Sequence, residues 1–205
     1  METSSEAMVG VVTERPSRMG MVRLCAAALL PGGDRSGRGA GGPGVRHSAG
    51  QRQALLGLAG AEVVAAFLLS SVLPPVLRTA HGVLEGAVIL GFVGAAAALR
   101  RAGHHVVGDR LVLRTGLYGE VSVPRGAVGS VGAALRSVPG RGPRPVPGDP
   151  AAVACSAEET VNVAVRLRRP VRLDLGEAGV VMAQTLYAGA DSVPEFRAAV
   201  MAEGR

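Results

Sequence analysis

Two apolar runs, residues 54–73 and 83–99, set the limits on what this chain can fold into. A bilayer core of about 30 Å needs roughly 20 apolar residues at about 1.5 Å each. The first run has that length, with Glu62 as its only charge; the second lies near the short limit and carries Glu85 in its first turn. A soluble helix of such length is normally amphipathic. Here Gly86, Ala87, Val88, Ile89, Leu90, Gly91, Phe92 and Val93 are apolar all round. The pattern predicts a membrane-spanning helical hairpin over 53–101, in an integral, multi-pass membrane protein. Pro75 disfavours helical backbone at Pro74, so the first helix should stop there. Residues 74–82, with Arg78, Thr79 and His81, read as the connection.

An ionisable residue inside a span is a functional candidate. Folding the hairpin about that connection puts Glu62 near position 97, close to Arg100 and Arg101, and puts Glu85 near Pro74, close to Arg78. Both carboxylates are therefore expected to pair with arginines reaching in from the helix ends, a structural reading preferred over a proton or ion pathway. Orientation follows from the arginines flanking the spans. Arg38, Arg46 and Arg52 precede the first, Arg100, Arg101, Arg110 and Arg114 follow the second, and only Arg78 lies between. Both termini are expected in the cytoplasm, with the protein in the cell membrane.

Residues 1–52 read as a disordered Gly/Arg-rich segment, because 34–50 offers too little apolar surface to order itself. Residues 22–30 are a short apolar stretch suited to a marginal helix at the membrane surface. Residues 37–42 formally satisfy GxGxxG, but neither a strand before nor a helix after supports a dinucleotide site. All 22 basic side chains are Arg, which reads as compositional bias. The net charge of +6 comes with two Tyr, three Phe and no Trp, so few rings are available to stack on bases. An anionic bilayer is the expected partner, and no nucleic acid is expected. Cys25 and Cys155 form no CxxC pair and are expected as free thiols without zinc. His104 and His105, adjacent on a strand, would point to opposite faces and not share a metal. No cofactor is expected.

The remainder, 102–205, is patterned as a small all-β domain with one C-terminal helix. Strands are expected at 110–114, 120–123, 127–135, 160–168, 171–175 and 180–187, with Pro170 as a break. Residues 139–150, rich in Gly, Pro and Arg, read as a mobile loop. Asp191-Ser192 should cap a helix over 193–202 whose Phe196 and Val200 share one face.

Residues 108–131 (GDRLVLRTGLYGEVSVPRGAVGSV) and 191–196 (DSVPEF), following two spans, resemble the bacterial pleckstrin-homology-like (PH-like) domain of two-span actinobacterial membrane proteins. The resemblance implies a partly open β-barrel closed at one end by the helix, and it supplies no catalytic residues. Related domains bind lipid headgroups through a basic first loop; here 115–119 contains no basic residue, and Arg136, Arg141 and Arg144 become the candidate lipid contacts. No GxSxG, HExxH or phosphate-binding loop is present, so catalysis is not expected. The expected function is a non-catalytic, membrane-anchored PH-like domain that docks an unknown protein partner or assists assembly at the inner leaflet. The alternatives are an anionic-lipid sensor using those arginines, or a small transport or channel subunit using Glu62. Gly91 and Ala95, four residues apart, would allow close helix approach within the hairpin or in a homo-oligomer.

Overall fold

The computed structural model describes residues 8–13, 18–29 and 44–202. Its two long helices are α2, Ala49–Val72, and α3, Pro75–Arg101, preceded by a short apolar helix α1, Arg18–Leu29. Both long helices are apolar enough to cross a membrane, and only 6% of the most apolar window of α2 and 22% of that of α3 is buried by protein. A soluble core hairpin would show the reverse, so the pair suggests membrane association. Pro74 has extended backbone and Pro75 opens α3, the one helical position where its missing N–H costs nothing. The connection is therefore one tight turn at Leu73–Pro74. Residues 75–82, expected to lie outside the helix, form its first two turns.

The tight turn changes the depth of the carboxylates. Glu62 lies twelve residues before Pro74 and Glu85 eleven after, so the two sit at the same level rather than at opposite ends.

The β-domain uses strands from both ends of the chain. Met8–Val9 (β1) and Val11–Thr13 (β2) come from the segment expected to be disordered. His105–Val107 (β3), Arg110–Arg114 (β4), Glu120–Pro124 (β5) and Val128–Ser137 (β6) follow the hairpin. Next come Gly142–Val146 (β7), Asp149–Ser156 (β8), Thr160–Asp174 (β9) and Val180–Ala188 (β10), and Val193–Met201 is the C-terminal helix α4. One sheet runs β2-β5-β4-β3; the other runs β1-β9-β10-β8-β7, with β6 also paired to β9. The two sheets do not close on each other. Because β1 pairs with β9 and β2 with β5, the chain before the hairpin and the domain after it lie at the same end of the helices.

Three expectations are corrected. The N-terminal segment contributes two strands and a helix, because Val9, Val11 and Val12 can complete two sheet edges that local composition does not reveal. Residues 142–146 and 149–156 form a hairpin rather than a mobile loop, since β8 is buried along most of its length and β7 is its antiparallel neighbour. Pro170 does not break β9. The pairing of β9 with β10 jumps from Arg166 to Val171, so Pro170 falls in an irregular stretch where no ladder hydrogen bond requires its missing N–H.

The main core lies between the sheets. Leu111, Leu113, Val121 and Val123 meet Val163, Val165, Val171 and Leu173, while Phe196 and Val200 of α4 plug one end. A smaller cluster of Val138, Val146, Ala152, Ala154 and Val161 lies on the other side of β8.

Candidate functional site: the joint between hairpin and domain

The chain enters α2 and leaves α3 side by side. Val45 and His104 exchange two backbone hydrogen bonds, of 2.7 and 2.8 Å. The first N–H groups of α2 need acceptors, and Ser48 does not supply one: its φ is 63° and its side chain makes no cap. The β-domain supplies them instead. Asp191 Oδ1 accepts from the Ala49 N–H at 2.9 Å, and Glu158 Oε1 accepts from the Gln51 N–H at 3.2 Å. The other Asp191 oxygen pairs with Arg52 at 2.8 Å. Two carboxylates at the positive end of the α2 dipole thus tie the domain to the hairpin.

Behind this cap lie two buried histidines. His104 donates from Nε2 to the Gly189 carbonyl at 2.7 Å and accepts at Nδ1 from the Arg114 N–H at 3.1 Å. Both nitrogens are used by the neutral ring. Complete burial, with His47 beside it, pushes the His104 pKa down to about 3. His47 packs against it at 4.6 Å between ring centroids, donates to the Ala102 carbonyl and bonds the Ser48 hydroxyl; burial lowers its pKa too. Phe196 meets the His104 ring edge-on at 5.5 Å. Asn162 holds the adjoining 189–191 segment through two hydrogen bonds to Ala190. Leu99, at the end of α3, packs into the 115–119 turn: a Cβ at Gly116 would lie 2.6 Å from its Cδ2, at a φ of 67°. A recess of about 300 Å³ remains, lined by His47, Leu135, Glu158, Asn162 and Asp191 among others. No group of three metal-binding side chains occurs among the described residues.

Sequence reasoning missed most of this joint. His47 lies in the Gly/Arg-rich segment, whose composition gives no sign of order. Asp191 was assigned to α4, but Ser192 caps that helix through Glu195 N–H, leaving Asp191 for α2. Glu158 carries no local signal of its role as an acceptor for α2. Adjacent His104 and His105 do face apart, as alternation requires, with His104 inward.

The ion pairs within the two long helices differ from expectation. Glu85 pairs with His81 one turn away at 3.6 Å, not with Arg78, whose Nε donates to the Leu73 carbonyl. His81 Nε2 and Glu85 Oε2 are buried without a hydrogen-bond partner among the described residues. Glu62 faces the seam with α3 and forms no ion pair among the described residues. Arg100 is exposed, and Arg101 donates to the Ala27 carbonyl.

The three arginines proposed as lipid contacts separate. Arg144 is half-buried and donates to the carbonyls of Val138, Pro139, Gly142, Ser156 and Glu158, so its guanidinium is consumed in holding the β7–β8 hairpin. Arg136 bridges Asp149 and the Pro147 carbonyl. Arg141 extends over the Tyr118 ring and bonds its hydroxyl at 3.0 Å, in the turn that receives Leu99.

No family model, curated protein or solved structure matches this chain.

Proposed function

We propose that this chain is a non-catalytic membrane anchor that presents a PH-like β-domain at the inner leaflet for docking a protein partner. The observation that carries this reading is the exposure of α2 and α3 beside the closed, hydrogen-bonded joint at their base. The apolar helices need a bilayer, and the joint fixes the domain against that bilayer in one orientation. The two ends of the hairpin share a side, and the arginines flanking it support the cytoplasmic face of the cell membrane for that side. An apolar recess of about 570 Å³ lies between β6 and α4, with Arg197 its one charged lining residue.

External trypsin on intact spheroplasts is the test. The arginine-rich domain should survive until the membrane is breached. Cleavage from outside would reverse the orientation, and recovery of the protein in the soluble fraction would end the membrane reading. A crosslinker at Met201 should then give a discrete heavier species that a charged residue at Ala133 abolishes; crosslinks only to lipid would end the docking reading. For a lipid sensor, Arg141 is the best supported of the three arginines, because Arg144 donates to five carbonyls and Arg136 is held by Asp149 and the Pro147 carbonyl. The transport reading keeps one motivating feature, the His81–Glu85 pair in the helix seam.

A further inference from the structure

The hairpin leaves one apolar element unexplained. Helix α1 is about 18 Å long at 1.5 Å per residue, too short to span a bilayer. It begins after β2, whose Thr13 pairs with Glu120, and is followed by Val45, which pairs with His104. Both attachment points belong to the β-domain end of the hairpin, so α1 starts and finishes on one side. Between them it packs on the last turns of α3. Gly94 makes this approach possible: a Cβ there would lie 3.0 Å from the Cys25 carbonyl oxygen. The Arg101 guanidinium reaches the Ala27 carbonyl nearby.

Helical spacing divides α1 into two faces. Met21, Cys25 and Ala28 turn towards α3, and Ala28 is buried. Met19, Val22, Ala26 and Leu29 lie on the other face, where Met19 and Val22 are 66% and 64% exposed and Leu29 40%, and Leu24 on the flank is 48% exposed. Arg23 sits beside this face and is exposed. An apolar face of this kind needs a cover, and α3, against which α1 packs, is itself exposed along most of its apolar length.

We propose that α1 is a third membrane element, a helix embedded in the cytoplasmic leaflet alongside α3, with Met19, Val22 and Leu29 against acyl chains and Arg23 reaching the anionic headgroups. The inference rests on the reading of α2–α3 as a membrane hairpin. It adds to the two spanning helices a third that takes up area in the inner leaflet only.

The chain contains no Trp, so single Trp variants of the full-length protein report without background. In vesicles of phosphatidylcholine and phosphatidylglycerol, Val22→Trp is compared with Phe67→Trp in α2 and Val180→Trp at the far end of β10, using acyl-brominated lipids and aqueous iodide. Trp at 67 should lose most of its emission to the brominated lipids, and Trp at 180 only to iodide. Trp at 22 should lose most of its emission to bromines placed near the headgroup end of the acyl chain, and little to iodide. Quenching of Trp at 22 by iodide alone, with Trp at 67 still lipid-quenched, would overturn the proposal and leave the hairpin standing. Protection from both quenchers would overturn it in favour of a protein cover, such as a second copy. Failure of lipid quenching at 67 would bring down the hairpin and this inference together.

Discussion

Acid should loosen the joint, and His104 allows the size of the effect to be worked out. The ring is fully buried and neutral, with its pKa pushed down to about 3 from the ordinary value of 6.5. A depressed folded-state pKa stabilises the fold fully above the unfolded value, and that stability is lost as pH falls from 6.5 towards the folded value. At pH 5 the unfolded chain has taken up the proton and the folded chain has not. The linkage relation then gives a loss of about 2 kcal/mol between pH 8 and pH 5. His47, also lowered by burial, acts in the same direction. The assay is urea unfolding of the full chain in mild detergent, followed by the strand signal in circular dichroism at pH 8, 6 and 5. His104→Gln keeps a donor and an acceptor but does not titrate, so its stability should fall less over the same range, by about 2 kcal/mol on the same relation. If both proteins lose the same stability between pH 8 and 5, the acid sensitivity does not come from His104 and the reasoning fails.

Other substitutions test the remaining contacts. Asp191→Ala removes the carboxylate that caps Ala49 and pairs with Arg52, and should cost about 1–2 kcal/mol; amide hydrogen exchange at residues 49–52 should accelerate while the β9–β10 amides stay protected. Arg144→Ala strips the donors from five carbonyls and should destabilise the chain by about 3 kcal/mol, whereas Arg141→Ala should cost under about 0.5 kcal/mol. Equal effects in denaturant titrations would contradict a structural role for Arg144 that Arg141 lacks. Gly94→Leu forces a side chain against the Cys25 backbone, so Cys25 should react faster with a maleimide while buried Cys155 stays inert. An unchanged rate would mean that α1 does not depend on that contact.

Much of the architecture is legible in the residues themselves. The two apolar runs specify long helices because every face is apolar over a bilayer-sized length. Alternation at 160–168 and at 120–123 specifies strands because one face of each must be dry. Ser192 and Pro194 mark the start of α4 through local capping chemistry. These signals are short in range, written within a few residues of the structure they determine.

What escaped was decided by residues distant in sequence. The register of the hairpin turned on where helix resumed after Pro74, and a shift of a few residues moved Glu62 from the level of Arg100 to that of Glu85. Residues 8–13 became strands because β5 and β9 offered them edges. Asp191, 142 residues from Ala49, became that residue's cap. The joint is illegible locally because no single segment contains it: a helix end can take its acceptor from any carboxylate the fold delivers, and only the tertiary packing determines which one arrives.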